Sequence, residues 1–559
     1  MSVKKTIVIV GGTHGGPSAA ITARLANEHA RIIMVEQGSF LSWSHFSLRQ
    51  HLISNEAVVK DRLFELDELF GQRFDVEIRR DTRPVSLDVD SRYLVTESHK
   101  SREKLPYDAL IFAPSAESHK LEVNGLLGPT VVNFRNHDDI IAIKSAIKTG
   151  AKRAVVVGCG CYGVNAALGL KEQGLDVTMI ETKKRIMPSF SLQFARAIQK
   201  KLMHEGLLIK LGVTITEAQH LDDNSMSLRL SNGDVVDTNL VVLCIGIKPM
   251  NALLENAGAA VDVDGLIRVD DHMRTTLPNV FACGSAVSVP FAVIGDRRFV
   301  PEPAIMQRTA QVAGFNAACD GSTKMDAVKP VCGSFMMPVA DTSFARTGLT
   351  EQAAREHLSD DNLFVTTVFG TAELSLDYQS EMCVKLIVDR SSRRIVGGEV
   401  YGRSGVERSI DLLSVAVLEG FSPERLIDID LAYLTDASPH FDPLRDAAVR
   451  ARMGLLDNTR IMSAETLALW LKNNRDFRLV DVGEAPKLSG RMATKTLHLP
   501  LEALRDRMSE LLSEDSPIVL YSKSGHRSYL AQQALMQRGM TNVYHLDGGV
   551  ASFDLIAKE

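Results

Sequence analysis

At 559 residues the chain is too long for one hydrophobic core and is expected to divide into three or four domains of about 100–200 residues each. Hydrophobic residues make up 45% and charged residues 24%, as in an ordinary globular protein, and a net charge of -6 without any Lys/Arg block excludes a general nucleic-acid binder. No apolar run reaches the roughly 18 residues that a membrane span needs, and seven scattered cysteines without a CxxC pair fit a reducing cytoplasm, the expected location.

The opening, MSVKKTIVIVGG, has two lysines before an apolar run, but the run is too short for a leader and reads as a first strand. Strand TIVIV, loop GGTHGG, helix PSAAITARLANE and strand RIIMVE follow one another. A dinucleotide fold needs glycines where the chain turns and where its backbone approaches a pyrophosphate at a helix N-terminus. Gly11, Gly12, Gly15 and Gly16 supply them, with Thr13 at the middle glycine of GxGxxG. Glu36 closes the second strand, where an acid accepts the ribose hydroxyls.

The whole unit recurs in RAVVVGCGCYGVNAALGLKEQGLDVTMIE, with a complete GxGxxG at Gly158, Gly160 and Gly163 and an acid at Glu181. A carboxylate there repels a 2′-phosphate and favours NAD(H) over NADP(H), a preference softened by Lys183 and Lys184. Two such folds, the second inserted in the first, characterise two-dinucleotide flavoproteins. The return to the first fold is TTLPNVFACGSAVSV, where Gly284 and Ser285 stand at an expected Gly-Asp that bonds the flavin's ribityl chain. A serine bonds more weakly than a charged acceptor.

These segments resemble the coenzyme A-disulfide reductase and persulfide reductase family of flavoproteins, in the form fused to a C-terminal rhodanese domain. The resemblance rests on IVGGTHGGPSAA, YDALIFAPSA (with Ser115), GCGCYGVNAALGL, TTLPNVFACGSA, and the later TGLTEQAAREH, VKLIVDRSSRRIVGGEVYG and LAYLTDASPHFDP. It implies an α/β two-dinucleotide-binding flavoprotein, glutathione-reductase-like, with an α+β dimerisation domain and an α/β rhodanese-like domain. The expected division is 1–120 with 270–328 for FAD, 121–269 for NAD(H), 329–450 for dimerisation, 451–462 as linker and 463–559 as the rhodanese-like domain. It also implies FAD and NAD(H) as cofactors, a small-molecule substrate and a homodimer.

The departures fall on the chemistry. The family's Asn-Cys-Gly, whose cysteine forms a mixed disulfide beside the flavin, corresponds to His45, Phe46 and Ser47. Phenylalanine forms no thiolate. A family tyrosine near the flavin falls on Ala437, and an arginine that holds coenzyme A phosphates falls on Thr22. In the rhodanese loop SKSGHRS, Ser522 stands for the persulfide-forming cysteine, while Gly525, Arg527 and Ser528 match a cup of backbone N–H groups able to hold an anion. After VDV, Gly483 replaces a basic residue.

His45 and His51 are candidate proton donors, with local hydrogen bonding as the plainer role. Trp43 and Phe46 stack near the flavin or fill vacated space. Cys159 and Cys161 read as small loop residues. The expectation is an NADH-dependent FAD oxidoreductase without a redox cysteine, acting on oxygen, a quinone or a small molecule, with the rhodanese domain inactive. Two alternatives stand beside it: a non-catalytic flavin-binding sensor, and disulfide or persulfide reduction by another route.

Overall fold

The computed structural model of the chain describes residues 4–41, 47–55, 67–99, 101–222, 224–319, 324–374, 379–432, 442–456, 459–484, 496–512 and 516–556. They form two compact units, Met1–Ile186 with Gly206–Gly333, and Met187–Glu205 with Ser334–Glu559.

In the first unit, strand β1 (Thr6–Val10) is an unbroken buried apolar run after Thr6, the pattern of a parallel strand covered on both faces. Helix α1 (Gly15–Ala26) leads to β2 (Arg31–Val35), which pairs with β1 in parallel. The sheet runs Val280–Ala282, Ala109–Phe112, β1, β2, Val76–Arg79, all parallel. Helix Pro303–Ala318 closes on α1 so tightly that a Cβ on Gly314 would lie 2.2 Å from the Ala19 carbonyl oxygen. The short helix α2 (Leu48–Ile53) follows β2.

The inserted fold repeats this plan with β3 (Arg153–Val157), α3 (Cys161–Glu172) and β4 (Asp176–Glu181). Its parallel sheet runs Leu208–Leu211, β4, β3, Leu240–Leu243, Val131–Asn133. In such sheets ligands bind beyond the carboxyl ends of the strands. β1 and β3 both end in a glycine loop that feeds a helix N-terminus.

In the second unit an antiparallel sheet runs Phe335–Val339, Thr342–Gly348, Arg394–Gly402, then Gln379–Asp389 and Leu363–Leu374 at its edge. Helix α4 (Leu192–His204) belongs to this unit. Phe190 and Phe194 are fully buried against Phe335 and Tyr401, the Ser191 N–H donates to Glu399 Oε1 at 2.7 Å, and Gln193 Nε2 donates to Ser552 Oγ at 2.6 Å. Residues 187–205, inside the span expected for NAD(H), thus pack with the C-terminal half of the chain. The edge strand is hereafter β5 (Leu363–Leu374) and its partner β6 (Gln379–Asp389). Helix α5 (Pro443–Leu456) packs on both.

The last five strands form a parallel sheet in the order Arg460–Met462, Val543–Leu546, Ile518–Tyr521, Arg478–Asp481, Thr496–His498. Within it β7 (Ile518–Tyr521), α6 (His526–Met536), β8 (Val543–Leu546) and α7 (Gly549–Ile556) follow in sequence. Helix α6 starts at His526, directly after Gly525, which makes the turn ahead of it at φ +81°. Among the described residues, no helix is long and apolar enough to cross a membrane.

Candidate functional site

The first glycine loop is shaped by close approaches that forbid side chains. Gly11 sits at φ +102°, and a Cβ there would lie 2.0 Å from the Ala113 carbonyl oxygen. A Cβ on Gly16 would lie 1.8 Å from the Gly11 carbonyl oxygen, and one on Gly12 would strike the Leu41 side chain at 2.3 Å. Gly15 faces Ala113 and Cys283, which brings the returning segment beside the loop. Glu36, 8% exposed, accepts from the Gly12 N–H at 2.6 Å and the Gly38 N–H at 2.7 Å. Burial nevertheless raises its pKa, as for a carboxylate lacking the hydroxyl donors its place calls for. Gly11, Glu36, Ser115 and Asn251 line one cavity of about 370 Å³.

A dinucleotide with its ribose at Glu36 and its pyrophosphate at the α1 N-terminus fits this cradle, because Gly15 and Gly16 leave the first turn of α1 without side chains. Gly284, at φ +69°, donates its N–H to Thr309 Oγ1 at 3.0 Å. Ser285, 5% exposed, donates its hydroxyl to the Pro114 carbonyl at 2.9 Å. That hydroxyl ties the returning segment to the loop after Ala109–Phe112 and leaves its lone pairs to accept from a ligand.

The second loop keeps the same spacing. Gly158 lies at φ +98°, and a Cβ would lie 2.4 Å from the Cys244 carbonyl oxygen. A Cβ on Gly163 would lie 1.8 Å from the Gly158 carbonyl oxygen, whereas one on Gly160 would meet nothing within 4 Å. Glu181 Oε2 accepts from the Cys159 N–H at 2.9 Å, and its Oε1 accepts from the Lys183 N–H at 3.0 Å. Lys183 thus meets Glu181 through its backbone. An open Gly160, a helix N-terminus and a fixed carboxylate fit an NAD(H) diphosphate and ribose.

Between the loops, α2 lies on α3. Gly169 leaves room for Leu52 and Arg49, whose atoms a Cβ would meet at 3.0 and 3.3 Å, and Arg49 pairs with Glu172. Lys144 Nζ holds the end of α2 by donating to the Ser54 carbonyl. His51 on α2 is half-buried, and its pKa is lowered first by burial and then by the charges of His137 and Lys144. Trp43, His45, Phe46 and Ala437 lie outside the described residues. Thr22 turns its hydroxyl back to the Ser18 carbonyl of its own helix at 3.0 Å, so it serves the helix, and a threonine carries no charge for a phosphate.

One residue the sequence reading passed over is His14, an x position of the first motif. It precedes α1, its Nε2 is buried without a hydrogen-bond partner, and its pKa is lowered by burial and then by the Arg135 charge. An x position of the motif carries no residue rule, so the sequence held no signal for it.

Among the thiols, burial raises the pKa of Cys159, Cys244 and Cys383, and that of Cys283 to about 12, which disfavours thiolates at all four. Cys161 stands partly exposed in the first turn of α3.

In the C-terminal loop Ser522 is 3% exposed, and its Oγ accepts from the Ser528 N–H at 3.3 Å. Ser528 Oγ donates to the Gly525 carbonyl at 3.1 Å. The hydroxyl at 522 therefore occupies one N–H of the cup. Arg527 turns to two carboxylates, Glu502 at 2.6 Å and Glu484, and its charge is already balanced. Gly483 donates its N–H to Asp481 Oδ1 at 2.9 Å.

Comparison with known proteins gives three family matches. Residues 5–311 match the pyridine nucleotide-disulphide oxidoreductase model, 337–438 the dimerisation domain of the same class, and 463–555 the rhodanese-like domain. A protein of Methanocaldococcus jannaschii named NADH oxidase is 25% identical over 449 residues, 79% of this chain and 97% of that protein. The crystal structure of reduced Bacillus anthracis CoADR-RHD is 25% identical with a TM-score of 0.90, covering 99% of this chain and 98% of that one. The NAD-dependent persulfide reductase of A. fulgidus is 27% identical with a TM-score of 0.88, covering 98% and 100%. The chain belongs to the pyridine nucleotide-disulphide oxidoreductase family, whose members are flavoproteins using FAD and NAD(H), and it carries a rhodanese-like domain at its C-terminal end.

Proposed function

We propose that the chain is an NADH-dependent FAD oxidoreductase that works without a redox cysteine at position 46 and passes electrons to a non-disulfide acceptor, dioxygen first among the candidates. FAD, when bound, supplies the two-electron chemistry between NADH and the acceptor. The observation that carries the reading is the pair of matched glycine cradles, each with its acid fixed on the loop N–H, in a sequence that offers phenylalanine for the thiol at position 46. The NADH oxidase name of one relative supports dioxygen.

Gly11–Gly16 with Glu36 would hold the flavin nucleotide, with Ser115, Gly284 and Ser285 at its borders. Gly158, Gly160 and Gly163 with Glu181 would hold NADH, and Glu181 would disfavour the 2′-phosphate of NADPH. His14 would hold a proton at Nε2, the buried atom with no acceptor, and release it to the reduced acceptor. The dimerisation match supports a homodimer.

One observation favours a second reading. Cys161 begins α3 beside Gly160, and a helix N-terminus stabilises a thiolate. Disulfide or persulfide reduction would then use that thiol in place of residue 46.

Anaerobic NADH titration separates the two. A flavin acting alone is bleached by about one NADH and takes up no more, with NADPH the poorer donor. Uptake of a second equivalent that disappears in Cys161→Ser would establish the thiol route. Colourless protein that cannot be reconstituted with FAD would leave a binding module only.

A further inference from the structure

Three of the seven cysteines, Cys159, Cys161 and Cys244, stand at the second glycine loop, all as free thiols. β3 and the strand Leu240–Leu243 are parallel neighbours, and both run into this group at their carboxyl ends. The Cys244 N–H donates to the Val157 carbonyl at 2.8 Å, and the Cys244 carbonyl oxygen lies 2.4 Å from where a Cβ on Gly158 would stand. The Cys244 side chain meets α3: its Cβ is 3.6 Å from the place of a Cβ on Gly163. Cys161 opens that helix two residues earlier.

The three thiols are not equivalent. Cys159 is fully buried. Burial pushes the Cys244 thiol up, and the charges of Cys161, Cys159 and Asp139 push it further, so Cys244 lies within electrostatic range of both other sulfurs. Cys161 is partly exposed at the first position of α3, and a helix N-terminus stabilises a thiolate. An accessible thiol of that kind beside a second, less acidic one is the arrangement that peroxide oxidises selectively.

We infer that Cys161 and Cys244 form an oxidation-sensitive pair that closes to a disulfide and shuts the second loop to NADH. The oxidant is hydrogen peroxide, the product when dioxygen takes two electrons. The Cys161 thiolate attacks one peroxide oxygen: an S–O bond forms, the O–O bond breaks, and the leaving hydroxide takes a proton to become water. Cys244 then attacks the sulfenic sulfur: the S–S bond forms, the S–O bond breaks, and the departing hydroxide leaves as water with the Cys244 proton. Two thiols lose two electrons and two protons, and one peroxide becomes two waters.

A disulfide pins its two Cα atoms about 4.4–6.8 Å apart. This one would fasten the first turn of α3 to the strand end at Cys244 and displace the helix N-terminus that would receive the diphosphate. Reduction by a small thiol would release it. The consequence for NADH rests on the reading of this loop as its site, whereas the disulfide itself does not.

The test treats the full-length holoprotein with hydrogen peroxide in the absence of NADH, alkylates the remaining thiols and reads the digest by mass spectrometry. Peptides joined through Cys161 and Cys244 should appear, and NAD+ affinity, measured by titration, should fall about tenfold and return on reduction with dithiothreitol. NAD+ added before the peroxide should protect the pair. Cys161→Ser and Cys244→Ser should each give no cross-link and keep their NAD+ affinity through the same treatment. Cys161 is partly exposed, so Cys161→Ser keeps the test decisive if Cys244→Ser does not fold. Absence of the cross-link, a cross-link through Cys159 instead, or unchanged NAD+ binding by the cross-linked protein overturns the inference. Failure of the NADH reading is separate, because the reduced protein would then bind no NAD+ before any oxidant is added.

Discussion

The loops Gly11–Gly16 and Gly158–Gly163 follow one backbone twice. The first glycine of each has φ near +100° (102° and 98°), and the last of each would put a Cβ 1.8 Å from the first glycine's carbonyl oxygen. In each, the second residue gives its N–H to the acid at the end of the next strand, at 2.6 Å for Glu36 and 2.9 Å for Glu181. They differ in the middle. Position three is Thr13 in one and Gly160 in the other, and position four is His14 in one and Cys161 in the other. The outer positions make the turn and the close packing of helix on strand, which any dinucleotide needs. The inner positions take no part in those contacts and are free to vary.

The largest effect should therefore come from an outer position. Gly163→Val places a side chain into the Gly158 carbonyl and must push α3 off β3; Gly16→Val does the same to α1. Each should abolish binding of its own nucleotide. Gly163→Val should leave a yellow protein that NADH no longer bleaches, and Gly16→Val should give colourless protein. Yellow Gly16→Val protein with normal flavin content would break the equivalence of the loops.

Those outer positions were the part legible in the sequence, because only glycine tolerates the φ and the contact and so the spacing survives. Glu36 and Glu181 were legible for the same reason, as each ends a strand at a fixed distance from its loop. The two dinucleotide folds followed from the same signals, and the dimerisation and rhodanese-like parts from the family resemblance. His14 was not legible, since an x position carries no rule; what marks it is a buried nitrogen without a partner. Nor was the pairing of Arg527 with two carboxylates, because Glu484 and Glu502 reach it from 43 and 25 residues away. The packing of Met187–Glu205 with the C-terminal half depends on Glu399 and Ser552, hundreds of residues distant. The oxygen of Ser522 also has a structural duty, accepting from Ser528, which the comparison with a missing sulfur concealed.

Next in size is His14. Its pKa is depressed below the usual 6.5 by burial and by Arg135, so it is neutral at pH 7 and takes up a proton as pH falls through a value below 6.5. If it supplies the proton, transfer to the acceptor should accelerate on acidification through that window and level off once it is charged. His14→Ala should slow the step about 100-fold and flatten the profile. The stability sign is opposite: a depressed histidine contributes stability above pH 6.5 that is lost as pH falls through its folded value. The alanine variant should lose less stability in acid than the parent. An unchanged rate profile in the variant would remove His14 from the chemistry while leaving the loop geometry intact.

A smaller effect belongs to Gly160. A Cβ there meets no protein atom within 4 Å, so Gly160→Thr should fold with an unchanged melting temperature and normal flavin content. The new side chain would instead stand where the NADH diphosphate approaches the loop. NADH binding should weaken about tenfold, roughly one lost hydrogen bond to a charged group. A fall in melting temperature would mean that the open space at residue 160 is structural and not kept for a ligand.

The smallest effect is the reciprocal change, Thr13→Gly, and its sign discriminates most finely. Thr13 stands where the inserted fold keeps its uncovered glycine, so the flavin loop already accommodates a side chain at the position of closest diphosphate approach. If the threonine merely crowds the diphosphate, glycine relieves it and FAD should bind about threefold tighter, less than 1 kcal/mol. Glycine also frees the unfolded loop, at a cost of about 0.5–1 kcal/mol in stability. The two terms are read by different measurements: flavin affinity by titration of the deflavinated protein, and stability by denaturation of that same protein without flavin. Tighter flavin with a weaker apoprotein would show that Thr13 trades affinity for a stiffer loop. Weaker flavin would show that its hydroxyl donates to the diphosphate, and the two loops would then differ in how they hold a phosphate as well as in how much room they leave it.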